Sequence, residues 1–280
     1  MTTAIHLPER PAIDYPESDG LPIADNTLQF RWISTIMWGL DAQFVHDPNV
    51  FVAGNLLWYP VEGAPTIRIG PDVLIALGRP RGERRSYKQW EEAGLPPQVV
   101  FEILSPGNRP AAMEEKFKFY ERHGVEEYYL YDPDDGSLQG WLRAGAELRE
   151  VPRMAGFVSP RLGITFDPGE GADNLRIFGP DGTPFLTFTE WVEKSKAEQR
   201  RADAAEERAD EQTRLALAEH HRVDEQMRVT ATERQRADAE RLRADAERLR
   251  ADAERLRADA ERLRAERLAA RLRDLGIEPE

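Results

Sequence analysis

The 280-residue chain has no cysteine. Disulfides, thiolate metal sites and cysteine nucleophiles are therefore excluded, and the composition suits a reducing compartment, so a cytoplasmic location is expected. No apolar stretch approaches the ~20 residues of a membrane-spanning helix, and no membrane partner is expected. The opening MTTAIHLPERPAIDYPESDG has no apolar core of a secretory signal and reads as a loose arm. Gly-rich phosphate loops of the P-loop or dinucleotide type are missing, as is a GxSxG elbow. His46, His123, His220 and His221 do not form a zinc-spaced set with carboxylates. A basic excess is also lacking, since the net charge is −13. An acidic chain is a poor electrostatic match for nucleic acid, although Arg79, Arg81, Arg84, Arg85 and Lys88 cluster locally.

What is present is unevenly distributed. Nearly all Trp, Tyr, Phe and Gly lie in residues 1–188, which can build a sizeable core. From Thr189 onward there are 21 Lys+Arg against 24 Asp+Glu, leaving 17 against 27 in residues 1–188. The expected organisation is an arm over 1–24, a domain over 25–188 and a long helix over 189–275. In the tail, Leu242, Leu249, Leu256 and Leu263 recur every seven residues, with Ala239, Ala246, Ala253 and Ala260 three residues before them. That places Ala at a and Leu at d of a heptad, with its regular part over 237–265. Arg243, Arg250 and Arg257 fall at e, and Asp245, Asp252 and Asp259 at g. Gly276 and Pro279 stop the helix. Two readings stay open: a solvated charged helix held by propensity, or a coiled coil that joins copies of the chain through 237–275. A nucleic-acid-binding tail is disfavoured because acid balances its arginines.

Periodicity predicts a helix over 28–44, then a β-rich run over 49–59 broken near Gly54-Asn55. Residues 66–77 read as one strand, or as two meeting at Gly70-Pro71. The polar connection 78–97 is given a short helix over 87–92. Strand 98–104, helix 111–123 and strand 127–132 follow, a right-handed crossover by default. The turn 132–136 leads to a hairpin over 137–142 and 147–151, short strands at 162–166 and 175–178, and a capping box at Thr187–Glu190. The fold class is α/β, a mixed sheet flanked by helices.

Glu102 is the misfit, a carboxylate inside the apolar run QVVFEIL. Burial of an unpaired charge is expensive, so it needs a partner, a metal or a cleft. Asp72 precedes VLIAL, and neighbouring strands lie ~4.8 Å apart. Two such carboxylates can chelate a hard cation such as Mg²⁺. Lys116, one helix away, can orient water or stabilise phosphoryl charge. Each residue also has an ordinary explanation: Asp72 as a turn or cap residue, Glu102 on the solvent face of an edge strand, Lys116 on a wet helix face.

Together these residues carry a resemblance. GNLLWYP (54–60), PDVLIALG (71–78), RRSYKQWEEAGLPPQVVFEILSPGNR (84–109), EKFKFYERHGVEEYYLYDPD (115–134) and SPRLGITF (159–166) resemble the Uma-type putative restriction endonuclease family of the PD-(D/E)XK nuclease superfamily. The resemblance spans about residues 25–190. It implies a restriction-endonuclease-like fold, with Asp72 and Glu102 as Mg²⁺ ligands (Mn²⁺ in its place) and DNA as substrate. The motif's lysine position holds Leu104, and the resemblance assigns that role to Lys116 from the following helix, with Lys118 as rival. The supporting residues are Ser105 and Asn108, which contact phosphate or cap the helix, together with Tyr120 and Asn55. Ala112 replaces a frequent acidic residue. The implied function is metal-dependent hydrolysis of DNA phosphodiester bonds. Its rival is an inactive nuclease-fold scaffold whose working part is the coiled coil.

Overall fold

The computed structural model describes residues 13–274 apart from 21, 23 and 109. Residues 1–12, 21 and 23 of the expected N-terminal arm, the expected helix end at 275, and the Gly276 and Pro279 stop lie outside the described residues. Contacts divide the chain into Met1–Lys196 and Ala197–Glu280.

The first helix, α1 (Thr27–Gln43), begins at Asn26, whose side chain accepts the Gln29 N–H at 2.8 Å. That satisfies one of the free N–H groups of the first turn. Strands β1 (Val50–Gly54) and β2 (Trp58–Tyr59) are separated where Asn55 takes φ +48°, the break expected at Gly54-Asn55. Of the two options over 66–77, one strand forms, β3 (Val73–Leu77), preceded by a single bridge between Trp58 and Ile69. The helix expected over 87–92 does not form. Tyr87–Lys88 (β4) instead pairs parallel to β2, and a turn follows with positive φ at Ala93 and Gly94. Tyr87 is fully buried and its hydroxyl donates to the Leu95 carbonyl at 2.8 Å, a tertiary anchor that overrides local helical spacing.

Strand β5 (Val99–Ile103), helix α2 (Pro110–His123) and strand β6 (Glu127–Tyr131) form the crossover, with β5 and β6 parallel. Strands β7 (Leu138–Ala144) and β8 (Glu147–Glu150) make the hairpin, and β9 (Thr165–Asp167) pairs antiparallel with β10 (Arg176–Phe178). The main sheet has the order β1-β3-β5-β6-β7-β8. Helix α3 (Phe188–Asp274) starts at the predicted capping box: the Thr187 N–H donates to Glu190 at 2.9 Å, and the Glu190 N–H donates back to the Thr187 hydroxyl at 3.3 Å.

Side-chain alternation sorts the sheet into two faces. Val73, Ile75, Val99, Phe101, Ile103, Tyr129 and Tyr131 pack with Trp32, Ile33, Ile36 and Leu40 of α1. Leu74, Ala76, Val100 and Tyr128 pack with Tyr120 of α2. Strand β5 is internal, between β3 and β6, and buried along its whole length. Glu102 therefore does not stand on the solvent face of an edge strand. Fully burying an aliphatic neighbour contributes about 1.5–3 kcal/mol. Burying an ion costs several kcal/mol even after relaxation, so Glu102 requires a partner in the core.

Candidate active site

Strands β3 and β5 run antiparallel with Val73 opposite Phe101. Extended by one residue, this register sets Asp72 opposite Glu102. Asp72 shares the parity of Leu74, and Glu102 that of Val100, so both belong to the sheet face that α2 covers. Both are buried, at 7% and 2% exposure.

Helix α2 completes the cluster. The Lys116 Nζ lies 2.7 Å from Glu102 Oε2, and the Tyr120 hydroxyl donates to Glu102 Oε1. Lys116 and Tyr120 are four residues apart, hence on one helix face. Lys118 turns outward and pairs with Glu114 at 2.6 Å, both well exposed. Of the two rival lysines, only Lys116 faces the carboxylates. Burial would pull the Lys116 ammonium down, but Glu102, Asp72 and Asp19 together hold it above the usual lysine value. The Tyr120 phenol is pushed well up, first by burial and then by Glu102, so it remains a donor.

Asp72 is less well compensated. Its Oδ2 accepts the Ile103 N–H at 2.7 Å. Burial, reinforced by the Glu102 charge, nevertheless lifts its pKa to about 8, against the opposing pull of Lys116, the Ile103 N–H and the Gln29 amide. Two buried carboxylates thus share one lysine. Near neutral pH Asp72 therefore keeps a proton in place of a second cation.

Gln29 was not foreseen. It is buried in α1, donates from Nε2 to the Ile103 carbonyl at 2.8 Å, and accepts the Asp25 N–H at 2.8 Å. A signal existed: Gln29 lies in helical register with the buried Ile33, Ile36 and Leu40, making it a polar residue on the apolar face. Ser105 and Asn108 lie in the loop after β5. The Ser105 N–H donates to Asn108 Oδ1 at 2.6 Å, and its hydroxyl donates to Asp25 Oδ2 at 2.5 Å. These bonds tie the loop to the start of α1. Asn55 supports the site through its backbone, donating its N–H to the Asp72 carbonyl at 3.0 Å.

The basic cluster is neutralised locally. Arg79 and Arg84 hold Glu92 at 2.9 and 2.6 Å, Arg81 pairs with Asp41, and Lys88 lies 3.3 Å from Glu91. Burial would raise the Glu92 carboxyl, but the hydrogen bonds and charges of Arg84 and Arg79 bring it below its ordinary value. Arg85 pairs with Glu17 of the N-terminal segment at 3.0 Å. That segment is anchored by Tyr59, whose hydroxyl donates to the Pro16 carbonyl at 2.6 Å, and by Tyr15, whose hydroxyl accepts the Gly63 N–H at 2.6 Å. Its Asp19 is the residue whose charge reaches Lys116.

Among the described residues, no three or more His, Asp or Glu converge into a ready-made metal cage. The groups that could hold a cation are the two carboxylates, since the Ile103 carbonyl already accepts from Gln29. Mg²⁺ commonly takes one or two carboxylates and fills its remaining positions with water and substrate oxygens. The residues present fit that mode, and a divalent cation would take the place of the proton on Asp72.

The sequence profile of the Uma2 family, described as "Putative restriction endonuclease", matches residues 20–166. This span is more than half of the chain. The chain belongs to the Uma2 family. The matched stretch includes α1, β3 with Asp72 just before it, β5 with Glu102, α2 and β6, and ends at Phe166 in β9. The family's description supports a nuclease of the restriction-endonuclease type at family level. Among solved structures, the chain resembles one described as a putative nuclease belonging to DUF820 from Anabaena variabilis ATCC 29413. The TM-score is 0.36 at 13% identity, covering 48% of this chain and 72% of that chain. No curated protein matches the sequence.

Proposed function

We propose that this Uma2 member is a metal-dependent endonuclease that hydrolyses DNA phosphodiester bonds. The observation that carries this reading is the convergence of Asp72, Glu102 and Lys116, with Lys116 Nζ 2.7 Å from Glu102. Asp72 and Glu102 would hold Mg²⁺, or Mn²⁺ in its place. A bound divalent ion polarises a phosphoryl oxygen and lowers the pKa of a coordinated water. Glu102 is kept in orientation by the Tyr120 hydroxyl. Asp72 is kept in orientation by the Ile103 N–H, while Gln29 fixes the Ile103 carbonyl. Lys116, protonated at neutral pH, donates to the phosphoryl oxygens on which negative charge grows. One P–O bond forms to the water oxygen, which gives up a proton, while one P–O bond to the sugar breaks and the released sugar oxygen takes up a proton.

The test is nicking of supercoiled plasmid with Mg²⁺ or Mn²⁺. Lys116→Ala should lose about 100-fold or more, the scale of removing one donor to developing charge. Equal rates for wild type and variant refute the assignment.

A second reading has its own support. Both Glu102 oxygens already have partners in Lys116 and Tyr120, and residues 1–188 are strongly acidic. These facts suit a nuclease fold retained as a scaffold. Melting with millimolar Mg²⁺ or Mn²⁺ separates the two, because a metal that binds only the folded state raises the melting temperature by mass action. No shift, together with no nicking, selects the scaffold.

A further inference from the structure

Helix α3 has no buried residue. Leu242, Leu249 and Leu256 are each 71% exposed, and Leu263 is 51% exposed. Ala239, Ala246, Ala253 and Ala260 precede them by three residues, so the apolar row alternates three and four along one side of the helix. The row is bounded. Seven residues before Ala239 and Leu242 stand Thr232 and Gln235, and seven after Ala260 and Leu263 stand Arg267 and Ala270.

We propose that a second copy of this chain covers the 239–263 row, in parallel and in register. The charges flanking the row determine the orientation. Asp238, Asp245, Asp252 and Asp259 occupy one flank, and Arg243, Arg250, Arg257 and Arg264 the other. In a parallel pair, each Asp meets the Arg five residues further along the other chain, on both sides of the seam. An antiparallel pair would set Asp against Asp and Arg against Arg. The chain's own copy therefore supplies both the apolar row and the complementary flanks.

Within one helix each of these charges has opposite charges three or four residues away, such as Arg241 and Arg248 beside Asp245, but the Asp and Arg that meet across the seam do not meet each other. Residues five apart do not face each other, whereas those three or four apart do. The ion pairs within α3, among the described residues, are Glu219–Arg222, His220–Asp224 and Arg262–Glu266; none uses the eight flanking residues. Alanine at the alternate seam positions lets two backbones approach closely, and it also limits the apolar area, so the pairing is reversible. A parallel seam attaches residues 1–196 of both chains to the same end of the pair. The inference is independent of the catalytic reading.

The experiment uses the full chain. Sedimentation equilibrium should show two chains per particle at about 100 µM, where even a weak pair assembles; a monomer there overturns the proposal. The chain lacks cysteine, so single cysteines report orientation cleanly. Ala246→Cys and Ala260→Cys should each form a disulfide-linked dimer on mild oxidation, and Ala251→Cys, on the outward side, should not. Cross-linking only when Ala239→Cys is mixed with Leu263→Cys would mean an antiparallel pair and overturn it. The double variant Asp245→Arg/Asp252→Arg should self-associate at least tenfold more weakly. Mixing it with Arg250→Asp/Arg257→Asp should restore the pair. Unchanged mass in the charge variants would refute the charge rule.

Discussion

The two contact units of this chain handle charge in opposite ways. Within Met1–Lys196, buried ionisable groups sit among aromatic side chains: Asp72, Glu92, Glu102 and Glu127 are all at or below 8% exposure. Within Ala197–Glu280 every ion pair among the described residues is exposed. An exposed pair contributes about 0–1 kcal/mol, whereas removing one partner of a buried pair costs about 3–5 kcal/mol. Substitutions of the same type should therefore have unequal consequences in the two regions. In the first unit a charge must be explained by what surrounds it. In the second it is explained by its place in a repeat.

The largest expected effect is on chemistry. Glu102→Gln should abolish any rise in melting temperature with Mg²⁺ and reduce plasmid nicking by about 100-fold or more; an intact metal response would detach Glu102 from metal binding. Next comes Glu127, which serves as a structural counterpart to Glu102. It accepts the Arg161 N–H at 2.6 Å, the Tyr129 hydroxyl at 2.9 Å and the Ser159 hydroxyl. Burial raises its carboxyl, against the pull of the Ser159, Tyr129 and Arg161 donors. Glu127→Ala leaves these donors unsatisfied and should cost about 2–4 kcal/mol in denaturant unfolding, with stability measured free of metal. A cost below about 0.5 kcal/mol, the range of ordinary surface changes, would contradict this account.

A third, smaller effect concerns pH. The Asp72 pKa rises from 3.8 to about 8 on folding. Between those values the folded chain holds a proton that the unfolded chain has released, so this contribution is complete below about pH 4 and is lost as pH rises through about 8. In the metal-free protein, Asp72→Asn should therefore gain melting temperature over wild type at pH 8 and lose that advantage at pH 4. Each kcal/mol corresponds to about 2–4 °C for a domain of this size. A constant difference across that range would mean Asp72 does not titrate there. The smallest effect belongs to the other region: Leu249→Ala should leave the melting of the sheet domain within about 0.5 kcal/mol of wild type. If it moves further, the contrast between the two regions fails.

Much of the sheet was legible because each strand buries a recognisable apolar run between turn residues. Val73–Leu77 and Val99–Ile103 are examples, and the hairpin after Asp132–Gly136 is another. The segment 87–92 was not legible, because its conformation depends on the buried Tyr87 side chain and on β2, nearly 30 residues away in sequence. At the site, Glu102 was conspicuous as a charge in an apolar run. Gln29 was overlooked because an amide at the start of an amphipathic helix is unremarkable until Ile103 is seen opposite it.

The sequence alone determined most of the element types, the segment 87–92 excepted, together with the family resemblance and the heptad with its Asp and Arg flanks, since these depend on the pattern along one chain. Tertiary structure decided that Asp72 stands opposite Glu102, that Lys116 rather than Lys118 completes the cluster, and that the arginines of 79–85 are tied to carboxylates. Strand register and the rotation of a packed helix are set by burial on both faces of the sheet. The same contacts bring together residues that the chain keeps 14 to 44 positions apart, from Glu102 and Lys116 to Asp72 and Lys116.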